Sequence, residues 1–288
     1  MEQTIVDWLN WLRLRASEKT AAAYGWQLRR LVKEFPSFAA SDFKEKHLTQ
    51  YLAERRFLGQ WGESSVKMAT CAMRSFFCWV LGKSKSPARR LPVHRVKERK
   101  QRSLTEDQLG AVLVSCDTST RKGQRDVALI ALMADSGLRA SEVCRLRLAD
   151  LDLDNLSFRV VIKGGDEDVG LFSPETRSLL ASWLAWRGEC KAATVFVSVE
   201  PGKAARSLTP GGLRCIFRKM AAGSGLEKFS PHDLRRTFAT LATDNGAPSR
   251  LLQMGMRVND IRLVQRYSRN AQLQRLAKYL PMSGTMGG

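Results

Sequence analysis

Apolar residues recur at helical spacing through the first part of the chain. Ile5, Trp8, Leu9 and Leu12 fall on one face of residues 4–14, the three- and four-residue spacing of an amphipathic helix. After Ser17 the pattern returns with Tyr24, Leu28, Leu31 and Val32. It returns again over 45–57 with Leu48, Tyr51 and Leu52, and over 64–81 with Val66, Ala69, Met73, Phe76, Phe77 and Val80. Pro36 and Gly62 separate these segments and act as breakers. The spacing predicts a four-helix bundle at residues 1–84.

A second domain is expected over 103–288. Ser103 and Thr105 are candidate N-caps, followed by Glu106 and Asp107 in a first turn. A strongly apolar helix is expected over 125–134, ending near Gly137, and another helical piece over 142–148. The period then shortens. Residues 156–173 read as two short strands around Gly164-Gly165, an antiparallel hairpin. Further helices are expected over 174–186, 210–220, 233–244, 249–256 and 260–267, with a short strand at 195–197. A tail helix at 271–280 carries Leu273, Leu276, Ala277 and Leu280 on one stripe. The stripe suits packing on its own domain. The expected fold class is mainly α with a small antiparallel sheet, in two domains.

Length agrees with that division: 288 residues fit two domains at about 100–200 residues each. Charge narrows the partner. Lys and Arg number 47 against 28 Asp and Glu, a formal net charge of +19. Such an excess favours a polyanion, either nucleic acid or an acidic membrane surface. No run of 18 apolar residues is present, and the first residues lack the basic-then-apolar run of a signal peptide. A cytoplasmic nucleic-acid binder with no membrane role is expected.

The positive charge concentrates between the domains. Residues 85–102 hold Lys85, Arg89, Arg90, Arg95, Lys97, Arg99, Lys100 and Arg102 against the single acid Glu98. Pro87 and Pro92 disfavour a helix there. The stretch reads as an extended basic linker that contacts phosphates, with Arg89, Arg90, Arg95, Lys97, Arg99, Lys100 and Arg102 as the DNA-binding candidates. The six cysteines form no CxxC pair and the three histidines lie far apart, so no metal site is expected.

Four local patterns carry chemistry. Arg139 and Glu142 stand three residues apart, Lys163 sits at the hairpin tip, His232 and Arg235 stand three apart at a helix start, and Tyr267 closes a helix near the C-terminus. Singly, each is ordinary: a surface ion pair, a solvated lysine, a helix-start histidine, a packed tyrosine. Together they suit one reaction. Two arginines and a histidine can hold the non-bridging oxygens of a phosphodiester. A tyrosine hydroxyl can attack the phosphorus, and a lysine can give a proton to the departing sugar oxygen.

This ordered set resembles the tyrosine site-specific recombinases of the phage integrase family. SGLRASEVCRLRLADLD and SPHDLRRTFAT are similar to the family's two arginine boxes, and NDIRLVQRYSR to its nucleophile segment. SEKTAAAYGWQLRRLVKEF is similar to the opening of its core-binding domain. The resemblance implies a two-domain C-shaped clamp around duplex DNA, with a helical core-binding bundle and a catalytic domain. It implies that Arg139 and Arg235 clamp the scissile phosphate, Glu142 supports the site, Lys163 is the general acid, His232 assists and Tyr267 forms a 3′-phosphotyrosine link. It further implies strand exchange through a Holliday junction for integration, excision or resolution of a mobile element. No metal, ATP or other cofactor would be needed. The partners would be duplex core sites, with a homodimer on each and a homotetramer in the synapse.

Two places depart from the family pattern. A Gly-His or Gly-Trp usually stands nine residues before the nucleophile, and Arg257-Val258 occupies that position here. A two-residue slip would align Gly255-Met256 instead. Arg257, Val258 and Met256 are therefore the candidates to replace the missing ring. The hairpin tip carries Asp166, Glu167 and Asp168, which DNA would repel; the tip is expected to point away from DNA or toward a neighbouring protomer. The rival functions are a non-catalytic or decayed recombinase acting as a DNA-binding protein, a metal-dependent transposase using Asp135, Asp150, Asp152 or Asp154, and a type IB topoisomerase.

Overall fold

The computed structural model describes residues 1–93, 102–162, 165–200 and 202–258. Arg95, Lys97, Arg99 and Lys100, the hairpin Lys163, the helices expected over 260–267 and 271–280, and Tyr267 lie outside the described residues. The chain divides into two compact units, Met1–Arg99 and Lys100–Gly288. The described residues are mainly helical, with one three-stranded antiparallel sheet.

The first unit holds four helices: α1 (Glu2–Arg13), α2 (Glu18–Glu34), α3 (Glu45–Phe57) and α4 (Glu63–Leu81). Ser17 caps α2 by accepting a hydrogen bond from the Thr20 amide, which satisfies a donor that has no partner inside the helix. The apolar stripes meet in one core containing Ile5, Trp8, Leu28, Leu31, Leu48, Tyr51, Phe76 and Phe77, all buried. Trp8 meets Phe76 edge-on at 5.5 Å, a favoured aromatic geometry. Gly25 lets α1 approach α2: a Cβ there would lie 2.9 Å from Leu9 Cδ1. Ala88 and Leu91 are buried in the same core. The packed unit thus runs past residue 84 into the stretch read as linker, while Arg89 and Arg90 stay exposed.

The second unit holds α5 (Glu106–Val114), α6 (Arg121–Ser136), α7 (Ala140–Val143), β1 (Leu151–Asp152), β2 (Ser157–Val161), β3 (Glu167–Leu171), α8 (Pro174–Arg187), α9 (Pro210–Gly223), α10 (Pro231–Asp244) and α11 (Ser249–Gly255). The middle of α6, Ala128–Met133, is buried all round, as a central helix must be. Ser173, Thr209 and Ser230 cap α8, α9 and α10, each followed by a proline in the first turn, where a missing N–H costs nothing.

Several boundaries differ from the sequence-based expectation. The helix expected over 142–148 is the single turn α7. The backbone of 146–148 instead pairs with 193–195: the Val195 amide donates to the Leu146 carbonyl at 2.8 Å and the Leu148 amide to the Ala193 carbonyl at 2.9 Å. Those groups cannot also serve a helix. The expected strand at 195–197 makes only isolated bridges, Arg147 to Thr194 and Val197 to Ser207. The hairpin is β2–β3, and the two-residue β1 joins it, with Leu151 opposite Phe158. Glu167 and Asp168 belong to β3 rather than the tip. α6 starts at Arg121 because Thr120 caps it.

Candidate active site

The site is built on the turn between α6 and α7. Gly137 ends α6 in the left-handed conformation, φ 59°, where a side chain is disfavoured. Arg139 is the N-cap of α7. Glu142 Oε2 accepts from the Arg139 amide at 2.8 Å and Oε1 accepts from Arg139 Nη1 at 2.6 Å. The two residues therefore form a capping box and an ion pair at once. The Glu142 side chain is 3% exposed, and that of Arg139 37%. The guanidinium is held from inside and stays partly open to solvent.

Arg235 and His232 come from α10. Ser230 and Asp233 close a reciprocal cap at its start, which fixes the first turn and so the His232 position. Arg235 is buried; its Nη1 donates to the Gly137 carbonyl at 2.5 Å and its Nη2 to the Met256 carbonyl. It thus ties the end of α6 to the end of α11. His232 keeps an exposed face. Burial of the rest of the ring, and then the Arg236, Arg235 and Arg139 charges, hold its pKa below the ordinary value, against an opposing pull from Asp233. The imidazole is neutral near pH 7.

The end of α11 carries both positions considered for the missing ring. The Arg257 amide donates to the Met254 carbonyl at 2.8 Å and the Val258 amide to the Gln253 carbonyl at 3.3 Å. This is the Schellman pattern that closes a helix. Arg257 occupies its left-handed position, φ 53°, which normally calls for glycine. Gly255 is the last helical residue and Met256 its C-cap. A left-handed backbone at a non-glycine residue costs about 1–2 kcal/mol.

The three candidates to replace the ring take different places. Met256 is buried with Ala239 and Leu252, and Val258 packs against that cluster; neither side chain supplies a donor. Arg257 turns inward. Its side chain is fully buried beside Glu142, with Nη2 3.8 Å from Oε2. Nη2 also donates to the Ser136 carbonyl at 3.0 Å, and the guanidinium lies 5.9 Å from the Phe158 ring centroid. Burial pushes its pKa below the ordinary arginine value, opposed by the Glu142 and Asp168 charges. The Arg257 carbonyl accepts from Arg139 Nη2 at 3.3 Å.

The structure therefore gathers Arg139, Glu142, His232, Arg235 and Arg257 around one turn. Of the linker candidates, Arg102 is engaged locally: its Nη1 donates to Glu227 at 3.1 Å and to the Lys228 carbonyl at 3.2 Å. Sequence reasoning did not count Asp168 among the site residues, yet its side chain shares the inner face of the sheet with Phe158 and Gly170. Strand alternation could have revealed it once the strand start was known. Among the described residues no group of three His, Cys, Asp or Glu could hold a metal, and no helix is long and apolar enough to cross a membrane.

Comparison with known proteins identifies the family and the fold. Residues 102–274 match the model of the Phage integrase family. The chain is 29% identical over 242 residues to a tyrosine recombinase XerC of Xanthomonas axonopodis pv. citri (strain 306), covering 83% of this chain and 77% of that protein. It is 28% identical over 297 residues to a tyrosine recombinase XerD of Neisseria meningitidis serogroup A / serotype 4A (strain DSM 15465 / Z2491), covering 96% and 98%. A solved lambda integrase dimer bound to a COC′ core site shares the fold, with a TM-score of 0.75 at 16% identity over 93% of this chain and 77% of that one. With three fifths of its length matched by the family model, the chain belongs to the phage integrase family.

Proposed function

We propose that the chain is a site-specific DNA recombinase that cuts and rejoins strands through a 3′-phosphotyrosine link on Tyr267 and exchanges them through a Holliday junction. The observation that carries this reading is the convergence of Arg139, His232 and Arg235 on one turn, with the Arg139 guanidinium braced by Glu142 and partly open to solvent. Two fixed guanidiniums and an imidazole suit the charge that develops on a phosphodiester under attack, because they need no reorganisation as it forms.

In this reading Arg139 and Arg235 hold the non-bridging oxygens and Glu142 keeps Arg139 in register. Tyr267 has an ordinary pKa of about 10, so its proton leaves during attack; the neutral His232 imidazole assists by hydrogen bonding or as the base. The Tyr267 oxygen bonds to phosphorus as the bond to the sugar O5′ breaks, and Lys163 gives O5′ its proton. The link conserves the bond energy, so a second strand's 5′-hydroxyl reverses the step without ATP, and no step calls for a metal. The two units would clamp a duplex core site, one dimer per site and a tetramer in the synapse. The lambda integrase complex, itself a dimer on a core site, supports that arrangement. Arg89, Arg90, Arg95, Lys97, Arg99 and Lys100 would lie along phosphates. The setting is the cytoplasmic nucleoid and the substrate a mobile element.

Covalent trapping tests the reading. A nicked duplex carrying the core site from DNA flanking the chain's own coding region loses the short downstream fragment that bears the new 5′-hydroxyl, so the phosphotyrosine link accumulates. The native chain should form a denaturant-resistant adduct, undiminished by EDTA, and Tyr267→Phe should form none. Specific binding by the native chain without any adduct would leave a non-catalytic DNA-binding protein. The Val258 side chain, which offers no hydrogen bond where a ring is usual, favours that second reading.

A further inference from the structure

The geometry points to Arg257 and Asp168 as a positioning pair that couples the lysine-bearing hairpin to the arginine that faces the phosphate. Three observations meet here. First, Arg257 reaches Glu142, and Glu142 holds Arg139, so one carboxylate stands between two guanidiniums. Second, Arg257 is buried, yet among the described residues its Nε and Nη1 have no hydrogen-bond partner. A buried guanidinium with two nitrogens unpaired is costly, and the neighbouring carboxylates offset part of that cost. Third, Asp168 and Arg257 line the same cavity of about 390 Å³, together with Ile162, Arg250, Gln253 and Val258.

Strand alternation places Asp168 opposite Val160 on the inner face of the sheet, while Glu167 and Val169 face outward. On that face the Phe158 ring lies across Gly170, where a Cβ would be 2.1 Å from Phe158 Cζ. Arg257 in turn lies over Phe158. Asp168, Arg257, Glu142 and Arg139 thus alternate in sign from β3 to the phosphate-facing edge. Ile162, the last described residue before Lys163, lies on the same cavity. Asp168 supports the Arg257 charge; Arg250 is the other cation on the cavity and stays exposed at its rim. One acid of the hairpin therefore adds to Glu142 as negative charge beside the arginine that stands where glycine is usual.

This rests on the reading of Lys163 as the general acid, and two experiments separate their failures. Hydrogen exchange needs no DNA. In Arg257→Gly the left-handed backbone is kept without strain while the whole buried side chain, guanidinium included, is lost. The amides of 158–161 and 167–171 should then exchange faster, with those of α1 unchanged; Asp168→Asn should do the same and Arg257→Lys should largely restore protection. Unaltered hairpin exchange overturns the pair. On suicide DNA, Arg257→Gly and Asp168→Asn should each slow cleavage roughly 10- to 100-fold, and the double variant little more. A 5′-bridging phosphorothiolate leaves as a thiolate without a proton, so it should restore most of the rate to both variants and to Lys163→Ala, but not to Arg139→Ala. Additive losses, or no restoration, would show that the pair does not act through the hairpin lysine. A native chain that forms no adduct while exchange responds as expected would sink the catalytic reading and leave the pair standing.

Discussion

Glu142 holds Arg139 twice, by its backbone amide at 2.8 Å and by its guanidinium at 2.6 Å. The carboxylate is buried and the guanidinium is not, so the pair is anchored from the protein side. Glu142→Gln keeps the shape but turns one of the two accepting oxygens into an NH2 donor, so one hydrogen bond is lost and the other loses its charge. The expected loss of stability is about 1–3 kcal/mol, read as a lower urea midpoint. Cleavage should fall further, by roughly 100-fold, with DNA affinity nearly unchanged. Equal losses of binding and cleavage would argue that Glu142 serves folding alone.

Gly137 carries two demands at once. Its φ is 59°, and an added Cβ would lie 2.7 Å from Phe238 Cδ1. Gly137→Ala should cost about 1–2 kcal/mol for the backbone and about 1–3 kcal/mol for overpacking. Its carbonyl holds Arg235, so cleavage should fall with stability. Adding Phe238→Leu should recover the packing share, measured by thermal unfolding, and leave the backbone share. Full recovery in the double variant would mean that the left-handed turn is not under constraint.

His232 gives the site a pH dependence. Burial and the neighbouring arginines hold its pKa below the ordinary 6.5. The unfolded chain takes up this proton near 6.5 and the folded chain only at lower pH. Its contribution to stability is therefore complete above about pH 6.5 and is lost as pH falls through the folded value. The acid limb of the cleavage rate should lie below pH 6.5, and His232→Gln should lack it. A limb centred above 6.5 would contradict the neutral imidazole.

The basic stretch between the units should register in salt. Arg89 and Arg90 are exposed, whereas Arg102 is tied to Glu227. Replacing Arg89 or Arg90 with Gln should flatten the plot of log affinity against log salt by roughly 0.9 for each phosphate that is no longer neutralised. Arg102→Gln should change the slope less. Equal slopes for all three variants would remove the linker from the DNA interface.

Much of this protein is written locally. The helical period of Ile5, Trp8, Leu9 and Leu12, the Ser17 cap and the three Ser/Thr-Pro starts each act within one or two turns. So does the Arg139–Glu142 spacing, because a capping box is closed by residues three apart. The family's ordered motifs were legible for the same reason. What could not be read locally were relations across the chain. Residues 146–148 gave up a helix because their backbone groups pair with 193–195. Arg235 joins Gly137 to Met256, elements more than 100 residues apart at their extremes. Arg257 takes the glycine position of a helix end and turns under Glu142, while Asp168 faces inward because β3 starts at Glu167. Sequence alone set which segments fold and which side chains bear chemistry, because short-range sterics and hydrogen bonds govern those. Tertiary structure set which of them face one another, because long-range packing alone chooses among partners that local rules leave equivalent.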